Sequence, residues 1–354
     1  MPYYIITITI IYFLGLFEIS SGFKKVSKII TPVIAIILII LAGLKTGGVT
    51  DILEYKEWYE KYYAFDLNSS FEPGYQLFIS ISKQLGFDFS LFYLLIAVIS
   101  ISIKSKVFYK LTPYVGAAFL IYFTGCFFER DNDGIRQGLS ISFCFLGLYY
   151  LNKDCTLKFL VSSIIATTIH YTSIIFFIAL LLAKFRSKDK IIIIVICAAL
   201  ICSIANIFIT SYLIPMIPFM VSLNKLEIYS SNQYSEGLGI SIGILFRIAI
   251  LFMFILVKNR IRITETLYYL LRNGLAFSIV CSLLFGDFVI IAHRLPYVFR
   301  EFQIFIFPYI LSAVPSRGGK CIALSIIYLY SITILYRFFE NDSIYDTYSN
   351  ILLP

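Results

Sequence analysis

Residues 29–44 read IITPVIAIILIILAGL, sixteen positions without a charge. Lys24, Lys25 and Lys28 stand before them, and Lys45-Thr46-Gly47-Gly48-Val49-Thr50-Asp51 follows. Similar apolar runs recur at 3–19, 91–103, 111–128, 139–151, 191–213, 240–257, 267–285 and 322–335. Several reach the ~20 residues that a helix needs to cross a bilayer core. A transmembrane barrel would show short segments of alternating polarity, which are absent, and lipid offers no partner for an open backbone. The whole chain agrees: 59% of its 354 residues are apolar, 14% are charged, and mean hydropathy is +0.87. Soluble domains carry about a quarter charged residues. The expectation is an all-α, polytopic transmembrane helical bundle forming a single integral membrane domain over 1–354. The first run lacks a basic leader and a small-residue cleavage site, so it reads as the first span rather than a signal peptide. Seven cysteines are an odd number without paired spacing, and Cys144, Cys197, Cys202 and Cys281 lie inside apolar runs. They read as small hydrophobes, not as a disulfide framework or a zinc site.

The placement of charge gives the topology. Basic clusters occur at Lys24/Lys25/Lys28, Lys104/Lys106/Lys110, Lys153/Lys158, Lys184/Arg186/Lys188/Lys190, Lys258/Arg260/Arg262 and Arg317/Lys320, and hold 17 of the 29 Lys and Arg. Only Asp154 and Asp189 accompany them. By the positive-inside rule these clusters face the cytoplasm. No nucleic-acid partner is needed to explain them. Acidic residues gather opposite, at Asp51–Glu72, Glu129/Asp131/Asp133, Glu227/Glu236 and Glu340/Asp342/Asp346. Residues 157–183 break the alternation, because a 27-residue apolar run has basic clusters at both ends. A re-entrant or short helical hairpin turning near His170 puts both clusters inside. Counted as two, it gives about ten to twelve spans with both termini outside. Two external loops, about 45–73 and 214–239, exceed ordinary connections, and long loops in compact proteins usually carry function.

Ionisable groups in or beside a membrane are functional candidates by default. Lys45 precedes a Gly47-Gly48 turn whose backbone N–H groups suit an anion, with Asp51 as a helix cap or a functional acid. Arg130 and Arg136 flank the Asp131-Asn132-Asp133-Gly134 turn. Arg136 at a helix start favours a phosphate, although both arginines also fit a solvated loop paired with adjacent carboxylates. His170 is one of two histidines. His293-Arg294-Leu295-Pro296-Tyr297-Val298-Phe299-Arg300 ends a late span on the outer side, where topology gives no reason for basic residues. As one helix it would put His293 and Arg300 on a shared face. Arg247, within 240–257, needs a carboxylate or phosphate partner, for which Asp287 and Glu301 are candidates. Outer-leaflet arginines imply an anionic lipid ligand.

At these residues the chain resembles the EpsG family of polysaccharide polymerases, related to the Wzy O-antigen polymerases. Gly47-Gly48-Val49-Thr50-Asp51 with Tyr55, Phe71-Glu72-Pro73-Gly74-Tyr75, Ile135-Arg136-Gln137, His170-Tyr171-Thr172-Ser173 and Arg294…Tyr297…Arg300 carry the resemblance, in order across about 40–310. Lys45 stands where an arginine is expected. The resemblance implies a GT-C-like glycosyltransferase that joins undecaprenyl-diphosphate-linked oligosaccharide repeat units, as donor and acceptor, into O-antigen or a related surface polysaccharide. It would act at the outer leaflet of a bacterial inner membrane without cofactor or metal, with a chain-length regulator protein as a further partner. Arg136, Arg294 and Arg300 would hold the diphosphate. Arg130, Lys45, His293 and Tyr297 are further substrate contacts. His170, Asp51 or Glu72 would take the acceptor proton. The competing classes are a lipid-linked oligosaccharide flippase or transporter and an O-antigen ligase.

Overall fold

The computed structural model describes residues 2–22, 24–47, 51–66, 69, 71–209, 241–286, 292, 294–341 and 349–350. The external loop expected at 214–239, His293 and Asp287 lie outside them. In chain order the elements are α1 (Pro2–Ser21), α2 (Lys24–Gly43), β1 (Lys45–Gly47), α3 (Ile52–Lys61), α4 (Pro73–Gln84), α5 (Phe89–Leu111) and α6 (Val115–Tyr122). A π-helical segment (Phe123–Asp131) leads to α7 (Ile135–Leu151) and α8 (Thr156–Ile169). A 3₁₀ segment (Tyr171–Ile178) then precedes α9 (Ala179–Lys184), α10 (Asp189–Ile204), α11 (Ile242–Leu256) and α12 (Glu265–Leu284). Last come α13 (Tyr297–Arg300), α14 (Gln303–Ala313), α15 (Arg317–Asn341) and β2 (Ser349–Asn350). The strands pair antiparallel, Lys45 with Asn350 and Gly47 with Ser349, so the C-terminal strand lies beside the start of the 45–73 loop.

The all-α, multi-pass expectation holds. Among the described residues five helices are long and apolar enough to cross a membrane: α1, α2 from Lys25, α5, α12 and α15 to Arg337. The apolar segments Thr156–Ile169, Tyr171–Lys184 and Ile242–Leu256 are shorter. The run 111–128 becomes α6 followed by the π segment, and 157–183 is interrupted at His170, whose φ of −153° leaves the helix.

The chain divides into two compact units, Met1–Ile174 with Phe307–Pro354, and Ile175–Ile306. In the first, α7 packs on α5 and α8, α2 on α5, α4 on α8, and α1 on α6 and α15. Glu18 of α1 accepts from the Val115 and Gly116 N–H groups at 3.0 and 2.8 Å, so a carboxylate meets the positive end of α6. A Cβ on Gly116 would lie 2.5 Å from the Gly15 Cα; only glycine permits this crossing. Lys104, read from sequence as part of a cytoplasmic cluster, is instead fully buried. It donates to both Asp131 oxygens at 2.7 and 2.5 Å and to the Gly138 carbonyl at 2.8 Å. Tyr122 and Ser100 also donate to Asp131. An isolated buried cation would be prohibitive, and this network satisfies it while tying α5 to the π segment and α7.

In the second unit α12 packs on α9, α10, α11 and α13. Arg272, fully buried in α12, donates to Asp189 at 2.5 Å and to the Ser187 carbonyl at 3.1 Å. Asn273 donates to the Leu182 and Phe185 carbonyls, which fixes the turn after α9.

The break at His170 makes a topology test direct. α8 packs within the first unit and α9 within the second. A reporter joined after Lys188 is expected to read as cytoplasmic. An external reading would establish one straight crossing.

Candidate functional site

The site is built from a turn, two helix starts and a helix break, all in the first unit. The Phe71-Glu72-Pro73-Gly74-Tyr75 segment begins α4: proline occupies the first turn, where its missing N–H costs nothing, and Glu72 is the residue before the helix. A Cβ on Gly74 would stand 2.6 Å from Thr168 Oγ1 and 2.7 Å from the Thr168 carbonyl group. The start of α4 thus lies against the end of α8, two residues before His170. Arg136 is the second residue of α7, after the Gly134 turn.

Glu72 is the centre. Its Oε2 accepts from Arg136 Nη1 at 2.9 Å, across 64 residues of sequence. Its Oε1 lies 2.9 Å from His170 Nδ1 and accepts from the Tyr171 N–H at 3.4 Å. Arg136 packs on the Phe71 ring at 4.2 Å, on Tyr55 at 5.6 Å and on Tyr75 at 5.9 Å, and hydrogen-bonds to Tyr55. Its Nε is buried and, among the described residues, has no hydrogen-bond acceptor. Burial alone would raise the Glu72 carboxyl. The hydrogen bond and charge of His170, with the charge of Arg136, outweigh it and hold Glu72 below the usual carboxylate range. Burial pushes the Tyr55 phenol up to about 12, so it stays protonated.

This geometry corrects one expectation. Arg136 does not pair with the carboxylates of its own turn to make a solvated loop; its partner is Glu72. Arg130 does pair locally, with Glu129 at 3.6 Å. A second group adjoins Tyr55. Lys45 is buried and donates to the Asn132 carbonyl, and the Asp51 N–H donates to Asp133 at 3.3 Å. Burial lowers the Lys45 ammonium to about 7, while Asp133 and Asp51 act to raise it. Asp51 precedes α3 without a side-chain capping bond.

Arg294, Tyr297 and Arg300 belong to the second unit. A turn at Leu295–Pro296 precedes α13; His293, the other end of the shared face expected with Arg300, lies outside the described residues. Arg294 is exposed, and Tyr297 is buried. Arg300 stacks on the Tyr297 ring at 4.0 Å and donates from Nε to Glu301 at 3.0 Å. Glu301, weighed as a partner for Arg247, thus pairs with Arg300. Sequence reading missed Tyr75 as a wall of the Arg136 site, although it closes the Phe71–Tyr75 motif. Among the described residues no group of three or more His, Cys, Asp or Glu could hold a metal ion.

Gly74→Ala is expected to cost about 1–3 kcal/mol through overpacking on the Thr168 backbone. Glu72 would shift with the start of α4. Thermal unfolding in detergent checks it, and an unchanged midpoint would show that α4 is not seated as described.

A helical multi-pass membrane protein that gathers a carboxylate, a histidine and an arginine from three distant segments is the class that this fold and cluster define. The chain matches the EpsG family over residues 28–352 and belongs to that family. Membership supports a polymerase-like role in polysaccharide biosynthesis. No curated protein and no solved structure matches it.

Proposed function

We propose that the chain polymerises undecaprenyl-diphosphate-linked oligosaccharide repeat units at the outer leaflet of the bacterial inner membrane. The observation that carries this reading is the Glu72 carboxylate bridging His170 and Arg136. With His170 Nδ1–H donating to Glu72, Nε2 is the basic nitrogen, oriented as a carboxylate orients a general base. An acceptor hydroxyl attacks the anomeric carbon of the donor chain. The new glycosidic C–O bond forms, the bond to the diphosphate breaks, and the hydroxyl proton passes to His170 Nε2. The leaving diphosphate takes the bonding electron pair. Arg136 stabilises that growing charge, its unsatisfied Nε offering a further donor.

A flippase would break no bond and needs no oriented base. A ligase would share the chemistry but deliver the chain to a different acceptor. Surface polysaccharide from a deletion strain, complemented with wild type or His170→Ala, separates these readings. Single-repeat glycan with His170→Ala at normal abundance is expected. Full-length polymer from that variant would sink the assignment, as would loss of all exported glycan.

A further inference from the structure

The start of α5, one face of α3 and the strand β1 border a cavity of about 330 Å³ in the first unit. Small-molecule sites run from roughly 300 to 1,000 Å³. Its aromatic wall is Phe89 and Tyr93, whose rings lie 5.6 Å apart. Phe89 also packs on Tyr59 at 5.9 Å and Tyr93 is buried, so this wall is set before anything binds. Asp88, the residue before α5, and Ser90 in its first turn stand beside the rings. Asp88 Oδ1 accepts from the Leu91 N–H at 2.8 Å, one bond on a carboxylate that can take several. Lys56 and Glu60, one turn apart on α3, line the cavity and pair at 3.9 Å. Lys45, buried, lines it with its amine directed to the Asn132 carbonyl. Both lysines thus have oxygen partners already, which leaves a phosphate little to gain. Carboxylate oxygens, a serine hydroxyl and an aromatic face remain. A sugar ring matches that set: its hydroxyls donate to the carboxylates, and its C–H face packs on a ring.

The geometry points to a saccharide-binding site, formed by Asp88, Phe89, Ser90, Tyr93, Lys56 and Glu60, that holds an uncharged sugar unit of the repeat-unit glycan away from the bond being made. In naming the glycan, the inference rests on the polymerase reading; the fit to sugar hydroxyls stands apart from it. Helix α3 separates this cavity from the Glu72 cluster. Leu53, Lys56 and Glu60 face the cavity, while Tyr55 lies against Arg136. A helix with its side chains is about 10–12 Å across, so one sugar ring cannot serve both places, whereas an oligosaccharide is long enough to. Lys106 and Lys110 stand near the far end of α5, so by the positive-inside rule the cavity faces the outer side, with the proposed chemistry.

The test is binding by the purified full-length protein in an amine-oxide detergent, since a maltoside headgroup is itself a sugar. The probe is the oligosaccharide released by mild acid from the parent strain's surface polysaccharide, titrated by calorimetry at low and high salt. Saturable binding that changes little with salt is expected, because an uncharged ligand has no ion pair to screen. Affinity that falls steeply with salt overturns the uncharged assignment, and absence of binding overturns the site. Ser90→Trp fills the cavity from an exposed position. Asp88→Asn, also exposed, keeps the oxygen that caps α5 but removes the charge. Each is expected to weaken the oligosaccharide about 10-fold, the effect of losing one charge-assisted hydrogen bond. Glu54→Gln, on the other face of α3, leaves it unchanged. Wild-type affinity in both cavity variants overturns the site. The two readings fail separately. Full-length polymer from His170→Ala, with oligosaccharide binding still weakened by Ser90→Trp, sinks the polymerase chemistry alone. Single-repeat glycan from His170→Ala, with wild-type binding in both cavity variants, sinks this site alone.

Discussion

Glu72→Gln is expected to lower polymer formation about 100-fold or more while the protein still reaches the membrane. Glutamine keeps the size but not the charge. Arg136 loses its ion-pair partner at 2.9 Å, and His170 Nδ1 loses the carboxylate that fixes its tautomer. Orienting carboxylates of this kind are worth about 10⁴ in kcat in serine proteases. Removing one partner of a buried pair costs roughly 3–5 kcal/mol, and that cost divides between stability and rate. Glu72→Asp keeps the charge but is one methylene short of spanning both partners, so it should recover only part of the activity. The pH dependence of stability gives a second readout. The folded Glu72 value is depressed, so its contribution is fully present above the ordinary carboxylate value of about 4.3 and is lost as pH falls through the lower folded value. Thermal midpoints of wild type should therefore decline on the acid side more than those of Glu72→Gln. Full-length polymer from Glu72→Gln at normal abundance would remove Glu72 from the mechanism.

The sequence announced helices through residues 29–44 and their repeats, because an apolar run of that length has few other solutions. The breaks within those runs were not legible, since hydropathy cannot see a helix that changes to a π segment at Phe123 or stops at His170. Arg136, His170 and Glu72 were all legible as candidates. Their union was not, because nothing in a linear pattern says that Glu72 meets Arg136 rather than Asp131 or Asp133. The glycine in the Phe71–Tyr75 motif was the available hint: it is needed because α4 starts against the Thr168 backbone. Lys104 was misplaced for the opposite reason. A lysine near Lys106 and Lys110 looks topogenic, yet it lies one turn after Ser100 on the helix side that meets Asp131. Arg247 donates to Ser282, 35 residues away, and the two gave no shared signal at all.

Arg136→Lys is the sharper test of what the cluster does, because it separates charge from geometry. Lysine would keep a cation near Glu72 and the Phe71 ring, and so much of the ~0.5–2 kcal/mol that a cation over an aromatic face provides. It cannot reproduce the planar fork that reaches Glu72 through Nη1 while directing Nε elsewhere. If Arg136 only holds α4 to α7, Arg136→Lys should restore both the thermal midpoint and the polymer, and Arg136→Ala should lose both together. If Arg136 meets the leaving diphosphate, the two measurements come apart. A charge-assisted hydrogen bond is worth about 1.5–3 kcal/mol, and one that strengthens in the transition state appears as about 10- to 100-fold in rate. Arg136→Lys should then keep a near-normal midpoint and membrane abundance while polymer formation falls about 10-fold, and Arg136→Ala should fall further. Arg136→Ala at normal abundance with full-length polymer would show that the guanidinium is not at the reacting bond.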